Sequence, residues 1–341
     1  MKSQKQKQVF LGPAIVAAAN AMRALDAPVR YPLILSRFTW QRNLTSALRL
    51  SSFSSFIVMI EHFIGTIIIL PFLLSRRGIN HLISIMRTFK QKEWISITFV
   101  SLGSGLGLYF FLIAFGMGNP TVAILLQKSQ PLITLFVAMM LLKERPTKFY
   151  YIAAIISIIG ILLISFEDIT KASLFEFTAA ICSLIAASFW GANTVFGKIL
   201  TEKTDYWDLT AFRYLGGSLI LVIFNTIILS FTSDNFNALG ETFNTFPELL
   251  AIPMTGLICI VYSAILTGGV LPLALYYFGL RWSKASVGGL AELAFPLLAI
   301  FVNFFTLGFS LTFTQIIGAL ILFSVISALS YVNRKEFEKE N

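Results

Sequence analysis

Runs of about twenty apolar residues recur along this 341-residue chain, and no other feature restricts its fold so strongly. A helix of that length crosses a ~30 Å hydrocarbon core. Lipid offers no partner to backbone N–H and C=O groups, so a crossing segment must satisfy its own and be helical. Ten such runs are read: 10–34, 52–75, 94–117, 120–142, 149–166, 174–199, 208–231, 250–280, 286–307 and 312–332. The first is the least regular, because Arg23, Asp26, Pro28 and Arg30 interrupt it. A soluble helical protein is excluded by composition. Only 13% of residues are charged against 56% hydrophobic, where a soluble domain carries about 25% charge. The expectation is an all-α polytopic membrane protein of about ten transmembrane helices.

The net charge of +9 then speaks of orientation rather than nucleic acid. Basic residues gather in MKSQKQKQ, in 76–92, in KERPTK (143–148), at Lys198 and Lys203, at Arg281 and Lys284, and in the tail 333–341. The intervening loops are short or acidic. Basic loops on alternate sides predict both termini in the cytoplasm of a bacterial inner membrane. Segment 36–50 dissents, since it should lie outside yet carries Arg37, Arg42 and Arg49; its mixed character predicts an interfacial helix. The N-terminus reads as a tail, without the small-residue cleavage site of a signal peptide. Cys182 and Cys259 fall inside spans and support neither a disulfide framework nor a metal site. No P-loop, HExxH, GxSxG or paired CxxC is present, so neither an enzyme nor a cofactor is expected. GSGLG (103–107) has no preceding strand, and Gly103 with Gly107 reads as a close-packing face. The Asn43 sequon matters only in a secretory setting.

The chain also repeats itself. At a shift of 165 residues Pro131 falls on Pro296, Gly103 on Gly268, Leu125 on Leu290, Phe136 on Phe301 and Thr147 on Thr312. Earlier, AN at 19–20 recurs at 192–193, and EHFIGTIII (61–69) resembles RYLGGSLIL (213–221), pairing Gly65 with Gly217. Spans one to five therefore correspond to six to ten, as residues 1–168 and 172–332, with 333–341 a cytoplasmic tail. An odd number of spans per half makes the second half enter from the opposite face. Secondary transporters use such inverted repeats, with the substrate at the midplane between halves.

AILLQKSQPLITLFVAMMLLKERPTKFYYIAAIISIIGILLIS resembles the end of an EamA-type repeat of the drug/metabolite transporter superfamily. A helix with a mid-span proline ends in the turn LKERPT and is followed by a span containing Gly160. FWGANTVFGKIL (189–200) and LTAFRYLGG (209–217) are similar to the opening spans of the second repeat. The resemblance implies a ten-span metabolite transporter and leaves its substrate open. The chain departs from the pattern in segment 36–50 and in GFSL (308–311), where a second LGE-type turn is usual.

Ionisable groups in hydrocarbon are unfavourable by several kcal/mol unless paired, hydrated or facing a cavity, which makes each a site candidate. Gln127, Gln130 and Pro131 share a helix face with Lys128 about 100° away, a pattern suited to a polar cavity wall. Glu292 takes the place of Gln127 in the second half, one turn before Pro296. Glu61 and Arg213 also correspond, either as an ion pair or in separate roles. His62 is equally readable as a buried neutral ring or as a proton relay. Asn20, Asn193, Trp190 and Tyr277 are further wall candidates, while Tyr109 and Tyr276 serve packing as readily. Arg23, Asp26 and Arg30 read as a self-compensating network at a gate, and Pro131 and Pro296 as helix breaks. Glu61 and Glu292 suit protons or an amine; Lys128 and Arg213 suit a carboxylate or phosphate. The expected function is alternating-access transport of a small zwitterionic or mixed-charge metabolite, with proton coupling or exchange. A flippase for a lipid-linked headgroup is the alternative, and a polytopic membrane enzyme a weaker one. Expected partners are the substrate, the bilayer and protons, without nucleic acid, in a monomer or homodimer.

Overall fold

A computed structural model describes residues 2–26, 44–117, 126–169, 174–233, 254–267, 269–307 and 312–340. All regular structure among these is helical. The first half holds α1 (Lys2–Met22), α2 (Leu44–Arg77), α3 (Ile79–Arg87), α4 (Gln91–Met117), α5 (Gln130–Leu141) and α6 (Lys148–Ile169). The second holds α7 (Leu174–Thr201), α8 (Tyr206–Ser233), α9 (Met254–Tyr262), α10 (Val270–Arg281), α11 (Ala285–Ala291), α12 (Ala294–Leu307) and α13 (Phe313–Glu340). A π-helical turn, Ser263–Thr267, follows α9.

The distribution of polarity is that of a membrane protein. Phe136, Met140, Leu219 and Leu320 are each more than 60% exposed, whereas Glu61, His62, Lys128, Arg213 and Glu292 are buried. Large apolar groups left outward have lipid as their solvent. The protein is an all-α polytopic membrane protein. Five segments are long and apolar enough to cross by themselves: Ile57–Arg77, Gln91–Ala114, Thr178–Thr201, Tyr206–Ile227 and Ile258–Arg281. Leu11–Leu25, Gln130–Leu141, Lys148–Leu163 and Ile316–Leu329 are apolar but shorter. Length and composition alone thus qualify five helices among the described residues to cross, which leaves the expected ten spans unconfirmed.

Several expected boundaries are corrected. The first span is helical from Lys2 to Met22 and passes into a 3₁₀ turn, Arg23–Asp26; 27–34 of the expected run 10–34 lie outside the described residues. The supposed N-terminal tail is therefore part of α1, since Lys and Gln are good helix formers. Pro28 and Arg30 lie outside the described residues, as do Asn43 and positions 36–43. Residues 44–50 are the first turns of the 34-residue α2, not a separate interfacial helix. The C-terminal tail continues α13 to Glu340, because NRKEFEKE holds no Gly or Pro to stop it. The span read over 250–280 is interrupted at Ser263–Thr267. There Gly269 approaches the Ala264 carbonyl so closely that no Cβ would fit, and Pro272 withholds an N–H from the first turn of α10. Cys182 and Cys259 are free thiols.

Packing relates the two halves. α4 packs along α7 as α1 packs along α10, α5 lies on α7 as α12 lies on α1, and α2–α4 is matched by α8–α10. The α2–α8 and α6–α13 contacts map onto themselves when the halves are exchanged. The relation is not complete, since α13 also leans on α1. At the α2–α8 crossing each helix offers a glycine to a ring from the other. A Cβ on Gly217 would sit 2.7 Å from His62 Cδ2, and one on Gly65 would overlap the Tyr214 ring. His62 and Tyr214 meet between them at 5.5 Å between centroids.

The Gly103–Gly107 face of α4 takes α7 closely. A Cβ on Gly107 would stand 2.6 Å from Trp190 Nε1 and 2.9 Å from its Cδ1. Gly107→Ala is expected to destabilise by about 1–3 kcal/mol through overpacking. The check is a lower melting temperature of the purified protein in detergent, with Gly107→Leu failing to yield a monodisperse species.

Polar links between the halves gather at the end built from the basic loops. Arg77 of α2 reaches Asp205 at 2.5 Å and Asp208 at 2.9 Å in the α7–α8 turn, and His81 of α3 reaches Asp208 at 3.1 Å. Lys203 pairs with Glu93 of α4 at 2.9 Å. Glu144, from the KERPTK turn, accepts from Ala285 N at 2.8 Å and from Ser286 N at 3.2 Å, satisfying two N–H groups at the buried N-terminus of α11.

Candidate functional site

The site begins with two prolines. Proline has no N–H, so Pro131 and Pro296 deprive the carbonyls of Gln127 and Glu292 of their i+4 donors. Both helices break there. Residues 126–127 are helical, Lys128 and Ser129 form a turn, and α5 restarts at Gln130. In the second half α11 ends at Ala291, Glu292 and Leu293 turn, and α12 begins at Ala294. The turns are tightened by Ser129 N to Leu126 O at 3.1 Å and Phe295 N to Glu292 O at 3.2 Å. The runs 120–142 and 286–307 are therefore discontinuous rather than single spans, with 118–125 outside the described residues. Packing of Gly289 on Thr134 holds the breaks side by side. Irregular backbone at membrane depth is tolerated where it lines a cavity.

A cavity of about 150 Å³ lies at that place. Its walls include Asn20, Arg23, Glu61, His62, Gln127, Lys128, Gln130, Pro131, Trp190, Arg213 and Glu292. Candidates taken one by one from six separated stretches of sequence thus share one space. Two stand outside its wall. Asn193 is clamped between α7 and α4 against Gly103; with its amide turned end for end, nitrogen donates to Phe99 O at 2.8 Å and oxygen accepts from Ser104 N at 3.3 Å. Tyr277 is fully buried behind Arg213 and accepts from its Nη1 at 3.1 Å. Of the gate group, Arg23 lines the cavity, Asp26 closes the 3₁₀ turn, and Arg30 is outside the described residues. The Pro296 side chain likewise lies outside them.

Glu292 is the most heavily tied group. Gln130 Nε2 donates to its Oε2, while Thr194 Oγ1 at 2.8 Å and Tyr276 OH at 2.9 Å donate to its Oε1. Gln127 Nε2 donates in turn to Gln130 Oε1 at 3.3 Å. One carboxylate thus joins α5, α7, α10 and the α11–α12 break. Arg213 is held from a different side: Nε donates to Ser104 Oγ at 2.9 Å, and Ser104 is 2.8 Å from His62 Nε2. His62 Nδ1 faces the Val58 carbonyl at 2.8 Å, which only accepts, so Nδ1 carries a proton. With Ser104 donating to Nε2, the chain Arg213–Ser104–His62–Val58 is consistent throughout with a neutral ring. Lys128 is only 8% exposed, with its Nζ 4.0 Å above the Phe295 ring.

Ser104, Thr194 and Phe295 were not among the candidates, although each touches a charged cavity group. Ser104 sits between Gly103 and Gly105 in a stretch that reads as close packing, and Thr194 adjoins the wall candidate Asn193 without a charge to single it out. Phe295 carries no signal in a chain with 33 phenylalanines.

The EamA-like transporter family model matches residues 34–166 and again 177–331. The chain belongs to the EamA-like transporter family. Within this family of the drug/metabolite transporter superfamily, the protein shares 31% identity over 218 residues with the riboflavin transporter ImpX of Fusobacterium nucleatum subsp. nucleatum, covering 62% of this chain and 67% of that one. It is 23% identical over 238 residues to the uncharacterized transporter YoaV of Bacillus subtilis, covering 68% and 74%. A crystal structure with 13% identity superposes with a TM-score of 0.63 over 96% of this chain and 98% of the other, a likeness of fold alone. The EamA match spans both proline breaks and the cavity-lining residues from Glu61 to Phe295, while Asn20 and Arg23 precede it. The protein is a membrane transporter.

Proposed function

We propose that this EamA-family protein is a secondary transporter that moves a small polar metabolite by alternating access. Residues 1–168 and 172–332 form two repeats of opposite orientation that rock about the central cavity, with both termini cytoplasmic in a bacterial inner membrane. The observation that carries this reading is the convergence of charged and amide groups from both halves on one cavity at paired helix breaks. Discontinuous helices at a repeat interface are where secondary transporters place their sites. The ImpX relationship makes riboflavin the first cargo to test. The mixed charge of the wall, with Glu61 and Glu292 beside Arg23, Lys128 and Arg213, suits a polar rather than a purely lipophilic cargo. The carboxylates supply the place for a coupled proton.

The test is uptake of riboflavin and a panel of polar metabolites into proteoliposomes, with and without a pH gradient. Saturable flux that responds to the gradient supports proton-coupled transport. Translocation of a labelled lipid headgroup without metabolite flux would instead establish a flippase.

A further inference from the structure

We propose that Lys128 selects the cargo by donating to a carbonyl acceptor on a planar ring, and that Glu292 holds the site together rather than binding a substrate amine. This deepens the transport reading and rests on it. An ammonium group carries three N–H donors and no acceptor. Lys128 is more than nine-tenths buried and lines the cavity, yet among the described residues no oxygen accepts from it. Among those residues its ammonium rests on the Phe295 face, 4.0 Å from the ring centroid. A cation–π contact offsets only part of what it costs to bury an ammonium without acceptors. The missing partner is an acceptor brought by the cargo.

The acidic side of the cavity shows the reverse. Glu292 already accepts from Gln130, Thr194 and Tyr276. A carboxylate has about four acceptor sites, and three are taken by groups the protein itself supplies. A substrate ammonium would have to displace buried donors, each of them then left unsatisfied. At this part of the wall the cation lacks an acceptor and the Glu292 carboxylate is already occupied, so a cargo acceptor is favoured here over a cargo amine. Beside the cation stand flat surfaces: Phe295 beneath Lys128, and Trp190 with Phe111 at 5.5 Å between centroids. A planar heterocycle with ring carbonyls, such as a pyrimidinedione edge, meets both requirements, with its ring on the aromatic wall and its oxygen at Nζ.

Binding to the purified protein tests this with four probes: riboflavin, lumichrome (the same ring dione without the ribityl chain), L-phenylalanine and glycine. Lumichrome and riboflavin are expected to bind and the two amino acids not to. Lys128→Met should weaken lumichrome binding at least tenfold and Lys128→Arg by only a few-fold. Ligand-free Lys128→Met should melt no lower than wild type, because it removes a buried charge without an acceptor; a merely structural lysine would lower the melting temperature when lost. Equal binding by Lys128→Met, or a lower melting temperature, overturns the inference. So does amino acid binding without ring binding, and in these cases the flux measurement leaves the transport reading standing. Absence of both binding and flux for every probe overturns both.

Discussion

Glu292→Ala is expected to abolish transport and to lower the melting temperature by about 5–10 °C, while Glu292→Gln folds but transports at least tenfold more slowly. The reasoning starts from the donors. Gln130, Thr194 and Tyr276 all point at the carboxylate from different helices. Removing it leaves three buried donors facing one another, each penalised by about 1–3 kcal/mol. In a chain of this size a kilocalorie per mole corresponds to about 2–4 °C. Thr194 and Tyr276 are themselves 2.9 Å apart, so they partly recover by bonding to each other, and the lower part of the summed penalty is expected. Glutamine keeps the shape but replaces one acceptor oxygen with an NH₂, which opposes the Gln130 amide. Gln130→Glu in the same chain would then restore a donor–acceptor match, and recovery of melting temperature in Glu292→Gln/Gln130→Glu checks that the amide contact carries the effect. Two measurements are needed: thermal unfolding in detergent and flux in proteoliposomes. Wild-type flux in folded Glu292→Gln would remove the carboxylate from the mechanism.

What could be read ahead of the structure follows the strength of each residue's local signal. Pro131 and Pro296 removed hydrogen-bond donors at matching places, so both the breaks and the halves they belong to could be inferred. Lys128, Glu61, Arg213 and Glu292 stood out because a charge within an apolar run has few tolerable explanations. Thr194 and Ser104 did not, since a hydroxyl in a transmembrane helix can bond its own i−4 carbonyl and needs no other partner. The alternatives for Glu61 and Arg213 could not be separated from sequence, because rotation of α2 against α8 depends on Gly65 and Gly217 admitting Tyr214 and His62. The extents of α1 and α13 were misread for a different reason. Hydropathy marks where lipid begins, whereas a helix ends only where a residue stops it, and neither MKSQKQKQ nor NRKEFEKE contains such a residue.

Arg77→Ala is expected to open the end of the molecule built from the basic loops, and removing Asp208 as well should close it again. Asp208 is 1% exposed, and its Oδ2 receives both Arg77 and His81, while among the described residues its Oδ1 has no hydrogen-bond partner. Arg77 is about one-third exposed and also binds Asp205. An exposed pair contributes about 0–1 kcal/mol, and losing one partner of a buried pair destabilises by about 3–5. This half-buried cluster falls between, at about 2 kcal/mol, which corresponds to roughly a thirtyfold shift in a two-state equilibrium. That shift favours separation of α2 and α3 from the α7–α8 turn, the movement that rocking would require at this end. Thr204, 3% exposed beside Asp205, reports it: Thr204→Cys, with Cys182→Ala and Cys259→Ala, should react with a water-soluble maleimide tens of times faster when Arg77→Ala is added. In Arg77→Ala/Asp208→Ala no charge is stranded, so the reaction should slow towards the parent rate. An equally fast double variant would mean that Arg77 acts through packing alone, and an unchanged Arg77→Ala that the cluster holds no gate.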